Sequence, residues 1–252
     1  MNKNTKKISL TILAVILAIA LIFLAVNNLF GKTNIKSNAG DEASKNTSIP
    51  TPKIAEGEAA SLLKILPSDI VIGDKNAPVT IIEYASLSCP HCAVFYSDGF
   101  SKLKTEYIAT GKVKFAYRDF PLNQPALVAG MLAICQVNDR ELDAAKYYDF
   151  IKVLFRTQEA WAFGEDFTAK LETLAKLDGM SSEKFNQCIK NKTLQEAVLK
   201  ARLQATQLLQ ISSTPTFFIN GEIISGYGGY NEIKNVIDKK LGDNSTAPVK
   251  SN

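Results

Sequence analysis

Cys89 and Cys92 stand three residues apart, with Pro90 and His91 between them. At a helix start, that spacing lets two thiols face each other across one turn and close a small disulfide ring. Cys89, at the first turn, would lie where free backbone N–H groups and the helix dipole favour negative charge. Its thiolate is expected to be stabilised and its pKa lowered. Pro90 suits the first turn, where its missing N–H costs nothing. His91, the one histidine of the chain, adds a donor and, when protonated, a positive charge. Cys92, one turn deeper, is expected to be less exposed. A stabilised thiolate favours the dithiol, so the disulfide of such a pair oxidises other thiols strongly. The chemistry on offer is thiol–disulfide exchange. An incoming thiolate attacks Cys89 and Cys92 leaves; a second thiol then attacks the mixed disulfide and Cys89 leaves.

The competing reading is half of a zinc site. Its other half would have to be Cys135 and Cys188, which are not spaced as a second CxxC pair, or His91 itself. His91 cannot readily join both of its neighbours on one ion. No metal and no separate cofactor are therefore expected, only the redox-active Cys89–Cys92 disulfide.

The elements that must position this pair are mixed α and β. Ile70–Ile72 reads as a short strand and Val79–Tyr84 as a buried, β-branched strand ahead of the cysteines. A helix should begin at the CPHC segment, with Tyr96, Phe100, Leu103 and Tyr107 at helical spacing. Gly99 marks a kink in it and Gly111 its stop. Val113, Phe115 and Tyr117 alternate as a strand. No strand is convincing over 122–210, where helical patterns cover 125–137, 143–156, 166–177 and 182–190. A longer one carries Leu194, Val198, Ala201, Ala205 and Leu208 on one face. Strands return at Thr216–Ile219 and Glu222–Ile224. Asn220-Gly221 between them is a strong hairpin signal, because both turn positions need positive φ. A last helix is predicted over 231–241, with Gly242 as its stop.

With Cys89-Pro90-His91-Cys92 after a strand, a long helical insertion, and Ser213-Thr214-Pro215-Thr216 opening a late strand, the chain resembles the DsbA-like branch of the thioredoxin superfamily. The resemblance covers roughly residues 65–242. It implies an α/β thioredoxin-like fold: a central mixed sheet with flanking helices and a helical insertion subdomain. It implies a cis Thr214–Pro215 bond beside the disulfide, where the Thr214 backbone could pair with an extended substrate chain. It also implies a proton-relaying role for Glu83, six residues before Cys89; read alone, Glu83 could simply face solvent. The activity implied is that of an exported protein-disulfide oxidoreductase acting on newly exported, cysteine-containing proteins. A membrane partner like DsbB would reoxidise it. One residue departs from the pattern of the best-known oxidases, which carry Val before the cis-proline. Thr214 stands there instead, as it does in disulfide isomerases and in other DsbA-like proteins. Those isomerases have an amino-terminal dimerisation domain, and residues 27–60 are too few and too polar to form one. Oxidase is the preferred direction, isomerase or reductase the alternative. A redox-inactive peptide-binding module or chaperone is the remote one.

Cys135 and Cys188 fall on separate helical patterns. In an oxidising compartment they are candidates for a structural disulfide; the alternative is two small buried hydrophobes.

The chain has 252 residues and a net charge of only +4. Without Lys3, Lys6 and Lys7 it would be nearly neutral. Nucleic-acid binding needs a clustered basic face and none is evident; Lys239-Lys240 reads as a solvated helix end. Residues 8–26 are apolar apart from Ser9 and Thr11, and as a helix they would span about 28 Å, close to a bilayer core. The lysines before them should stay cytoplasmic, which exports the rest. Residues 1–26 are thus an uncleaved anchor or, alternatively, a cleaved signal ending near Ala18-Ile19-Ala20. Residues 27–60 read as a flexible linker, 61–242 as the folded domain with its insertion at about 122–210, and 243–252 as a disordered tail.

Overall fold

The computed structural model describes residues 57–137 and 143–245. The expected signal or anchor, most of the linker and the end of the tail lie outside the described residues. Among those described, no helix is long and apolar enough to cross a membrane.

Five strands form one mixed sheet: β1 (Val71–Ile72), β2 (Val79–Ala85), β3 (Val113–Asp119), β4 (Thr216–Ile219) and β5 (Glu222–Ser225), in the order β1-β3-β2-β4-β5. Only β2 and β3 run parallel. A parallel pair needs a long crossover, and the segment that starts at the CPHC sequence supplies it. Strand β2 sits at the centre, with all but Thr80 buried. Its side chains alternate between two cores, as the strand period requires. Val79, Ile81 and Ala85 enter the larger core, which also holds Cys89 and Cys92; Ile82 and Tyr84 enter a smaller one with Phe120, Ala205, Ile211 and Phe218. Glu83 shares the face of Ile81 and Ala85. The β4–β5 turn uses Asn220 at φ 45° and Gly221 at φ 84°, as the hairpin signal requires.

The crossover is not one regular helix. It comprises α2 (Pro90–Val94), a π-helical turn (Phe95–Gly99), α3 (Phe100–Leu103) and a second π-helical turn (Lys104–Ile108). The kink predicted at Gly99 takes the form of the first wide turn. A Cβ on Gly99 would stand 2.6 Å from the Tyr227 hydroxyl and 2.9 Å from the Phe95 ring, so glycine lets Tyr227 approach.

Among the described residues, six helices lie between β3 and β4: α4 (Gln124–Gln136), α5 (Ala144–Arg156), α6 (Gln158–Trp161), α7 (Phe167–Leu177), α8 (Ser182–Ile189) and α9 (Lys192–Leu209). Asn123, Asp143, Ser181 and Asn191 cap α4, α5, α8 and α9 by accepting the backbone N–H of the third residue of each helix. The short α6 has no counterpart among the expected helices. On α9, Val198 and Ala205 are buried but Ala201 is exposed, because the helix packs on its neighbours through a narrower stripe than its sequence suggests.

Two expected boundaries move. The linker expected over 27–60 stops short of Glu58–Leu62, which forms a helix, α1, with Ala59 buried. The Gln204 amide donates to Glu58, and the Arg118 guanidinium holds the carbonyls of Leu62 and Lys64, so this stretch is drawn into the fold. The tail expected over 243–252 begins later, because the last helix, α10 (Tyr230–Ser245), runs through Gly242. Gly242 does not take the left-handed conformation that would end a helix. Lys239 and Lys240, expected to be merely solvated, both reach Glu222 on β5.

Candidate active site

The loop that leaves β2 is fixed at several points before the cysteines are reached. The Phe120 N–H donates to the Ala85 carbonyl at 2.7 Å, and the Cys89 N–H to the Ser86 carbonyl at 2.9 Å. The hydroxyls of Ser86 and Ser88 lie 3.1 Å apart. Cys89 then occupies the N-cap of α2 in an extended conformation, with Pro90 in the first turn. Its carbonyl accepts the first helical hydrogen bond, from the Ala93 N–H at 3.1 Å. Pro90 and His91 face solvent. Cys92 is fully buried, whereas Cys89 retains 5% of its surface.

The Ser213–Thr216 turn closes the site from the far end of the chain. The Thr214–Pro215 bond is cis. The Cys89 thiol donates to the Thr214 carbonyl at 3.3 Å across 125 residues of sequence. The Thr216 hydroxyl donates to the Ser213 carbonyl and the Gly226 N–H to the Pro215 carbonyl, which pins the turn to β5.

The two thiols are electrostatically unlike. Cys89 is lowered from 9.0 to about 5. The largest cause is the neighbouring Cys92 thiol, which can donate to a Cys89 thiolate. The Thr214 side chain and the N–H groups of Cys92 and His91 help, against the cost of burial. Cys92 is pushed far up, first by burial, then by its hydrogen bond to Cys89 and by the charge of Glu83. Glu83 is raised well above the usual carboxylate range, chiefly by burial, with the Tyr96 hydroxyl acting the other way. Neither Glu83 oxygen nor the Tyr96 hydroxyl makes a well-formed hydrogen bond, although the groups are close enough to act on each other. Burial thus favours the protonated form of Glu83, whose side chain is wholly enclosed.

Beside α2 opens a groove of about 770 Å³, lined by Pro90, Val94, Phe155, Arg156, Gln158 and Ala160 among others. Val94 is 51% exposed on its wall.

The thioredoxin family model matches residues 66–239. The chain belongs to that family. Within the thioredoxins it is DsbA-like. It is 31% identical over 183 residues to disulfide bond formation protein D of Bacillus subtilis, covering 68% of this chain and 76% of that one. It is 29% identical over 180 residues to a protein of Rickettsia typhi provisionally named a protein-disulfide oxidoreductase. That match takes in 71% of this chain and 64% of the rickettsial one, so the chain spans a little under two thirds of that relative. Among solved structures, alpha-DsbA1 of Wolbachia pipientis is 35% identical, with a TM-score of 0.68, and covers 73% of this chain and 96% of its own. BdbD of Bacillus subtilis in its oxidised form is 27% identical, with a TM-score of 0.61, over 69% of this chain and 93% of its own.

In this thioredoxin fold the structure brings together Cys89, Cys92, Thr214, Pro215 and, from below, Glu83; Pro90 and His91 stand at its mouth. Glu83 does not take the solvent-facing alternative. Cys135 and Cys188 belong elsewhere, to α4 and α8. They are bonded to each other with their Cα atoms 6.2 Å apart, so they cannot complete a zinc site with the CPHC pair.

Two residues near the site carried no recognisable signal. Tyr96 read only as one more aromatic on a helix face. Gln158 lies on the unforeseen α6 and is buried, and its amide nitrogen donates to the carbonyls of Leu87 and Cys89 at 2.7 and 3.0 Å.

Proposed function

We propose that this DsbA-like thioredoxin is a protein-disulfide oxidoreductase acting outside the cytoplasm and working in the oxidising direction. The observation that carries this reading is the asymmetry of the two thiols. Cys89 is a thiolate at neutral pH and Cys92 is not. A stabilised thiolate favours the reduced enzyme, which makes the disulfide form a strong oxidant.

In the proposed cycle a substrate thiolate attacks the Cys89 sulfur and the Cys89–Cys92 bond breaks. The electron pair leaves on Cys92, which takes a proton from Glu83. A second substrate thiolate attacks the substrate sulfur of the mixed disulfide, and Cys89 leaves as its stabilised thiolate. The substrate loses two electrons and gains a disulfide; the enzyme gains them as a dithiol. An oxidant partner, DsbB-like and membrane-bound, restores the disulfide. The Thr214 backbone, beside Cys89, would pair with the extended substrate. Residues 1–26 would direct export, as signal or as anchor. Pro90 keeps the first turn free of a competing donor, and the exposed His91 meets the substrate. No cofactor beyond the cysteine pair is invoked.

The isomerase reading keeps one specific support. Thr214, whose side chain helps lower the Cys89 thiol, stands where the best-known oxidases carry Val. Equilibration with glutathione decides the direction. A potential near the roughly −120 mV of DsbA itself is expected, and one near the roughly −270 mV of thioredoxin would overturn the oxidase reading. Cys89→Ser should abolish oxidation of a reduced, unfolded substrate; full activity in that variant would move the chemistry to other residues.

A further inference from the structure

The Gln158 side chain reaches out of the inserted helices to the loop that carries Cys89. Its partners lie 71 and 69 residues earlier in the chain. The amide nitrogen has two hydrogens and each meets one carbonyl, so the amide is oriented unambiguously: its oxygen in that place would face two other oxygens. Gln158 is 4% exposed and Leu87 is 1% exposed, so these bonds form away from water. They bracket Ser88 and fix the β2–α2 loop on both sides of it. The Cys89 carbonyl is engaged twice, by the Ala93 N–H that begins α2 and by Gln158.

We infer that Gln158 is a positioning residue of the redox centre, through which the inserted helices hold the Cys89 backbone and aim its sulfur at Thr214. The inference rests on Cys89 being the reacting sulfur, as proposed above. It adds a distinct role for the helical block, which otherwise looks like a cover. The N–H directed at the Cys89 carbonyl also adds positive potential beside the thiolate. Gln158 lines the groove as well, so a chain seated there touches the side chain that holds Cys89.

The test is Gln158→Met, which keeps the length of the side chain and removes both donors. The Cys89 thiolate is followed by its ultraviolet absorbance, and the dithiol–disulfide equilibrium is set against glutathione. Neither readout needs a substrate protein, so failure here is separable from failure of the oxidase reading. Cys89 should titrate roughly half a pH unit higher or more, and the equilibrium should move about threefold or more toward the oxidised protein. A merely structural role would lower the melting temperature but leave both readouts at their wild-type values, and that result overturns the inference. If Gln158→Met does not fold, Gln158→Asn replaces it, since its shorter amide cannot span both carbonyls. An unchanged Cys89 titration in that variant overturns the inference equally.

Discussion

Cys89 and Cys92 differ because one caps a helix and the other is sealed beneath it. The Cys89 thiol is depressed in the folded chain, from 9.0 to about 5. Its contribution to stability is therefore complete above about pH 9, shrinks as the pH falls and is gone below about pH 5. Only the dithiol form has this contribution. The stability of the reduced protein relative to the oxidised protein should thus decline as the pH is lowered from 7 to 4, in parallel denaturant titrations of the two forms. A gap that does not change with pH would contradict the thiolate assignment. The sequence already placed Cys89 at a helix start and Cys92 deeper. The family resemblance alone placed Thr214 beside the disulfide, and nothing in the sequence supplied the Tyr96 hydroxyl near Glu83 or the amide of Gln158, because helix and strand periods do not report polar contacts between elements. Long-range polar contacts leave no periodic trace.

At the scale of elements, strands and helix caps were legible because they depend on neighbours in sequence. β-branched residues marked β2, Asn220-Gly221 marked the hairpin, and Gly111 ended the crossover. The crossover itself departed from expectation. Its aromatic residues follow a helical period, yet two π-helical turns interrupt it, and at the first Tyr227 presses against Gly99 and donates to Asp98 at 2.7 Å. Gly99→Ala should cost about 1–3 kcal/mol by overpacking, since the Phe95 ring beside the new methyl is itself buried. Urea unfolding measures it; a neutral effect would mean that the first wide turn relaxes freely. The α1 helix escaped notice for a related reason. Its five residues are too few for a helical pattern, and the guanidinium of Arg118, paired with Asp69 at 2.7 Å, does the holding.

Across the whole molecule, the insertion α4–α9 is where sequence reading and structure agree in outline and differ in detail. The helical pattern is strong over α5, which buries one apolar face, whereas α4 is buried on most sides and α9 along a narrow stripe. It fails at α6, which is one turn long. The Cys135–Cys188 bond staples α4 to α8 across 53 residues. By loop entropy such a bridge stabilises by about 4 kcal/mol. Replacing both cysteines with Ala should lower the unfolding free energy by about that amount while leaving the Cys89 titration in place. Calorimetry and thiolate absorbance together check it; a shifted titration would show that the staple also shapes the redox site.

The order of the cysteines along the chain has a consequence for biosynthesis. Cys89 and Cys92 emerge first, and the Thr214 turn that covers Cys89 follows 125 residues later. At synthesis rates of about 5–20 residues per second, the pair waits roughly 6–25 s for its cover. Cys135 emerges during that interval, well before Cys188, and its first available partners are the reactive thiols rather than its own mate. Should an external oxidant act on the chain before Cys188 is made, Cys89 and Cys92 are the thiols open to Cys135. In the folded chain Cys92 is fully buried, which removes it from that competition.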